Sequence, residues 1–104
     1  MFGFFKSYQI EEARKPRILG AVGMKMGEIL FNSVKIHGRP GAMDMNKMFS
    51  SAVSKCINGA YSELDAEDRY QLLKWSEKPS RSDIQKVYDL AEFWTQKHIN
   101  ELMR

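Results

Sequence analysis

An all-α domain is what these 104 residues predict, and three observations carry the prediction. Apolar residues recur at spacings of three and four through most of the chain, the signature of one buried helix face. Proline and glycine interrupt the pattern at Pro16, Gly38-Arg39-Pro40-Gly41 and Pro79, cutting it into segments of helical length. No tract repeats and none is of low complexity, so the segments read as one compact bundle or orthogonal array of four to five helices, not a solenoid. Residues 1–104 are expected to form a single domain. A chain of this size buries between roughly 60% and 70% of its surface, enough for a core without metal or disulfide.

The first long segment, 16–36, opens on Pro16, a residue favoured in a first helical turn. Ile18, Leu19, Val22, Met26, Ile29, Leu30 and Ile36 fall in one arc of about 120°, with Arg17, Lys25, Glu28 and Lys35 opposite. Helix is the better reading, although 29–36 also fits two short strands. Gly20, Gly23 and Gly27 lie within about 60° of one another beside that arc, and each costs about 1 kcal/mol of helix propensity relative to alanine. Such a cost predicts the close approach of another helix, with a hinge or a close ligand contact as the alternatives.

Segment 44–61 is the cleanest. Met45, Met48, Phe49, Ala52, Val53, Cys56, Ile57, Ala60 and Tyr61 share a face, with Lys47, Ser51, Ser54, Lys55 and Asn58 on the other. At 65–76, Asp65 is a natural N-cap, and Glu67 and Asp68 complement the helix dipole. Tyr70, Leu72, Leu73 and Trp75 supply the apolar residues, and Lys78 before Pro79 is pushed out of helical geometry. Ser80 and Asp83 then resemble a capping box for a last helix over 80–103, with Asp in place of Glu or Gln. Its stripe is Ile84, Val87, Tyr88, Ala91, Trp94, His98, Ile99 and Leu102.

Two apolar features are left over. Leu90 and Phe93 project outside that stripe, among Lys86, Asp89 and Lys97. Phe2, Phe4, Phe5, Tyr8 and Ile10 form an N-terminal arm, or short helix, whose apolar residues spread around a wheel and therefore want burial on more than one side. The arm either covers Leu90 and Phe93 within the same molecule or is buried against a partner; in the second case Phe2, Phe4, Phe5, Tyr8, Leu90 and Phe93 are the candidate partner-binding residues, since aromatic side chains concentrate at interfaces.

Net charge is +3, but residues 1–47 hold eight bases and four acids while 48–104 hold eight bases and nine acids. An anionic partner would meet the first half first. Arg14, Lys15, Arg17, Lys25, Lys35 and Arg39 are the candidate anion or nucleic-acid contacts. Arg14, Lys15 and Arg17 oppose their own helix dipole, which marks them as a solvated cluster or an anion site. Residues 69–94 have the outline of a helix-turn-helix, though Asp83, Asp89 and Glu92 on its second helix would face phosphates unfavourably.

Catalytic and cofactor signatures are missing from the pattern. His37 and His98 have no metal-ligand spacing with Cys56, the single cysteine. Cys56 reads as a buried apolar thiol and His98 as a core histidine with a backbone partner. The acidic run Glu63, Asp65, Glu67, Asp68 reads as capping, without the glycine pivot of a calcium loop. No metal and no cofactor is expected. The longest uncharged stretch is seven residues, too short to span a bilayer. The first residues lack the basic region of an export signal, and one cysteine suits a reducing compartment, so the cytoplasm is the expected location. The expected function is a small non-enzymatic helical module, an adaptor, assembly factor or inhibitor, that binds another protein or a second copy of itself. A nucleic-acid-binding protein is the alternative.

Overall fold

Four helices and no strand are present among the residues the computed structural model describes, which are 8–37, 45–59 and 63–103. They are α1 (Lys15–His37), α2 (Met45–Ile57), α3 (Ala66–Glu77) and α4 (Arg81–Leu102). The all-α expectation holds, and the strand alternative over 29–36 is replaced by continuous helix. α2 stops earlier than the apolar period implied. Asn58 folds back on Ser54, and Gly59 takes φ +83°, a left-handed stop that costs glycine no Cβ clash. Ala60 and Tyr61, expected on α2, lie outside the described residues.

α1 and α4 form the backbone of the fold, and they run parallel. Gly23 meets Leu90, Gly27 meets Trp94, and the Phe31 ring lies 5.3 Å from that of His98, a nearly constant offset along both chains. The glycines permit this approach. A Cβ at Gly23 would stand 2.6 Å from Leu90 Cβ, and one at Gly27 would stand 2.8 Å from Trp94 Cβ. Thr95 closes the seam, its hydroxyl donating to Ala91 O at 2.7 Å with Gly27 O at 3.3 Å as the second acceptor. Gly20 behaves differently. Nothing lies within 4 Å of its absent Cβ.

α2 returns antiparallel to α1, burying Met48, Ala52, Val53 and Cys56 against Ile18, Val22 and Met26 in one continuous core. α3 packs on α2 near the start of α1. Of its apolar residues only Leu72 and Trp75 are buried, whereas Tyr70 and Leu73 are exposed. Its N-terminus is closed by a full capping box between Asp65 and Asp68, as the acidic run predicts.

The Ser80–Asp83 box is only half made. Ser80 Oγ accepts from the Asp83 N–H, but the Asp83 carboxylate turns inward, accepting from the Trp75 indole at 3.2 Å and facing Lys15 Nζ at 3.5 Å. Trp75 is fully buried, so its N–H has to find an acceptor. Asp83→Ala is expected to leave that donor orphaned and lower stability by roughly 1–3 kcal/mol in urea denaturation, while Asp83→Asn, which keeps the acceptor, costs less.

The chain leading into α1 is also held. Ile10 is buried, Tyr8 packs on the core, and the Glu11 N–H donates to Gln71 Oε1 at 3.0 Å. Tyr8 is therefore half-buried against the core. Phe2, Phe4 and Phe5 lie outside the described residues.

Candidate partner-binding face

Most of the described basic candidates of the first half are engaged by acids of the chain itself. Arg17 grips Asp68 with two bonds, Nε to Oδ2 at 2.8 Å and Nη2 to Oδ1 at 2.9 Å. Arg14 adds Nη1 to the same Oδ1 at 2.9 Å and also reaches Asp65 and Glu11. Lys15 faces Asp83 and Glu12, and Lys25 bonds Glu28 at 3.1 Å. Lys35 remains exposed, while Arg39 and the His37 side chain lie outside the described residues. Four of the six candidate bases thus meet the chain's own acids. For Arg14 and Arg17 the physical reason is α3, whose capped N-terminus sets Asp68 directly against the start of α1.

Asp68 does more than the capping that the sequence predicts. Its carboxylate is fully buried yet receives the two arginines and the Asp65 N–H, and Arg17 first, then Arg14, hold it down to about 2 against the desolvation that pushes upward. The same bonds raise the pKa of both guanidinium groups. This cluster is a closed internal contact. All four described acceptor sites of the carboxylate are occupied by the protein itself.

The helix-turn-helix outline loses its geometry as well. α3 packs chiefly on α2, and α4 is committed to α1 along Val87, Leu90, Ala91 and Thr95. The two helices meet through Trp75 and Asp83 without forming a mutually packed pair.

No group of three or more His, Cys, Asp or Glu among the described residues could hold a metal. Cys56 is buried, and burial pushes its thiol up to about 11, away from thiolate chemistry. His98 is half-buried between the Phe31 and Trp94 rings and points Nδ1 toward Glu101 at 3.9 Å, in place of the expected backbone partner. Its surroundings share nothing with those of Cys56, which faces the Lys25–Glu28 level of α1.

What remains available is a face along one side of the α1–α4 seam. A groove of about 580 Å³ is walled by Pro16, Leu19, Gly20 and Leu90 and rimmed by Glu12, Lys15, Lys86 and Asp89. Leu90 is half-covered because its Cβ fills the space left by Gly23, so it forms the groove's wall and does not protrude from the surface. Phe93, one turn on, is 59% exposed. Its ring stands edge-on to Trp94 with centroids 5.6 Å apart, and Trp94 is itself pressed against Gly27 and covered by Lys97 Nζ at 4.7 Å. Phe93 is thus a projecting aromatic on an ordered support. No described helix is long and apolar enough to cross a membrane.

Comparison with protein-family models, with curated proteins and with solved structures finds no match to this chain.

Proposed function

We propose that this chain is a small non-enzymatic interaction module of the cytoplasm, regulating or assembling a partner as an adaptor, assembly factor or inhibitor by occupying a protein surface. The observation that carries this reading is Phe93, exposed on α4 one turn beyond Leu90, which walls an apolar groove. Exposed aromatics supported from behind are the side chains that anchor interfaces, because they bury a large area at small entropic cost. The internal pairing of Arg14, Lys15, Arg17 and Lys25 favours a protein partner over a nucleic acid, since those bases have their counter-ions already.

The test is Phe93→Asp in the full chain. Surface substitutions away from packed features shift stability by about 0.5 kcal/mol or less, so circular dichroism should keep its helical amplitude and melting point. Association, read by sedimentation or by cross-linking to a purified partner, should be lost. Retained association would overturn the reading, as would a gel shift of DNA or RNA that weakens steeply with salt.

A further inference from the structure

We infer that the cleft between α1 and α2 is a binding site for a small organic phosphate, whose doubly charged head is met by Lys47, Lys55 and the hydroxyls of Ser33 and Ser51. The cleft encloses about 450 Å³, within the roughly 300–1,000 Å³ of small-molecule sites. Ile29, Ser33 and Ile36 line it from α1, and Lys47, Ser51 and Lys55 line it from α2. Neither Phe93 nor the described wall of the α1–α4 groove belongs to it, so its test is separate from that of the interaction reading.

Charge singles this cleft out. Arg14, Lys15, Arg17 and Lys25 have acids of the chain against them, whereas Lys47 and Lys55 are exposed and meet no acid among the described residues. The described lining of the cleft holds no acid either. From residue 29 to residue 62 the sequence carries four bases, Lys35, Arg39, Lys47 and Lys55, and one acid, Asp44. The remaining residues hold twelve bases and twelve acids, so the whole surplus of +3 falls in the stretch that builds the cleft. An anion is drawn to that local surplus.

The helices bring the donors together. Lys47, Ser51 and Lys55 are four residues apart on α2, so they share one ridge, with each lysine about 6 Å along the axis from Ser51. Their flexible four-carbon stems let both ammonium groups reach the level of Ser51. The antiparallel pairing that sets Cys56 at the level of Glu28 sets Ser51, five residues earlier, at about the level of Ser33, five residues later. Ser33 points to a ligand independently of the charges. It is 5% exposed, and its hydroxyl has no hydrogen-bond partner among the described residues. A hydroxyl inside a helix can donate to the carbonyl four residues back, as Thr95 does to Ala91 O at 2.7 Å, but Ser33 does not. A buried donor left unmade is costly, and an anion oxygen in the cleft offsets that cost.

Phosphate suits this donor set better than carboxylate does. A phosphate monoester brings a second negative charge for the second lysine and three terminal oxygens for the four donors, and lysine meets phosphate as a point charge. Ile29 and Ile36 leave apolar wall for the organic body of the ligand.

Calorimetric titration of the full chain with phenyl phosphate, in low salt and a phosphate-free buffer, tests this. One site per chain is expected, binding phenyl phosphate more tightly than inorganic phosphate or benzoate. Lys47→Ala and Lys55→Ala should each weaken binding about 10-fold, the loss of one charge-assisted bond. Arg81→Ala removes the same charge from an exposed position on α4 and should leave the affinity unchanged. Ser33→Ala should weaken binding while the melting point of the free chain stays the same or rises, because an orphan donor has been removed. Absence of saturable binding overturns the inference, as does an equal loss in Arg81→Ala, which would reduce the effect to net charge. Benzoate binding as tightly as phenyl phosphate also overturns it. A DNA duplex that displaces phenyl phosphate at lower concentration, through the same two lysines, overturns it in favour of a nucleic-acid surface.

Discussion

Replacing Gly23 and Gly27 together by alanine should lower stability by roughly 1–3 kcal/mol, while Gly20→Ala on the same helix should raise it by up to about 1 kcal/mol. All three substitutions gain about the same helix propensity, near 1 kcal/mol each. The difference is entirely in what the new methyl meets. At Gly23 it would meet Leu90 Cβ at 2.6 Å and the Val87 carbonyl at 3.4 Å, and at Gly27 it would meet Trp94 Cβ at 2.8 Å and the Ala91 carbonyl at 3.1 Å. A Cβ cannot swing aside, and neither can a helical carbonyl, so α1 and α4 have to separate. Separation loosens Thr95 and the burial of Val87 and Ala91 along the whole seam. Overpacking of this kind costs about 1–3 kcal/mol per site, and the second site costs less once the helices have parted. Urea denaturation of the three single variants and the double one checks the order. Equal effects at Gly20 and Gly23 would mean that the seam does not set the stability.

That contrast shows what the wheel could and could not reveal. Gly20, Gly23 and Gly27 share one face, so a close helix was legible, but their spacing is the same whether a neighbour fills the position or leaves it open. Only the parallel pairing with α4 separates Gly20 from the others. Phe93 was visible as an apolar residue off the main stripe, and it is exposed. Leu90 carried the same signal and is half-covered, because its neighbour across the seam is a glycine with no side chain of its own to register in a pattern. At the end of α2 the reverse happened. The apolar period ran on past Ile57, but α2 ends there, at a left-handed Gly59 that stops a helix. Tyr70 and Leu73 continued an apolar run on α3, yet that short helix buries only the side holding Leu72 and Trp75.

Asp68 was the least legible of all, and its removal should have the other large effect. Asp68→Asn is expected to destabilise the chain by roughly 2 kcal/mol at neutral pH, because it forfeits charge-assisted bonds from two arginines and sets an amide NH2 against donors. A wheel assigns an acid in a first helical turn to solvent, where the dipole accounts for it. Its burial depends on Arg14 and Arg17, which lie 54 and 51 positions away in sequence, so no local pattern could report it. The pH dependence separates this charge from mere packing. The folded-state pKa, about 2, lies below the ordinary 3.8, so the folded form holds its carboxylate more tightly ionised than the unfolded form does. The stabilisation is therefore fully present above about pH 4 and is lost as pH falls toward 2. Wild type and Asp68→Asn should differ most between pH 5 and 7, and their melting curves should converge on acidification through about pH 4 to 2. A difference that stays constant over that range would show Asp68 acting by shape alone. Arg17→Lys supplies the complementary arm: it keeps the charge but loses the two-bond grip of Nε and Nη2, so it should shift the acid limb of the wild-type profile upward without abolishing it.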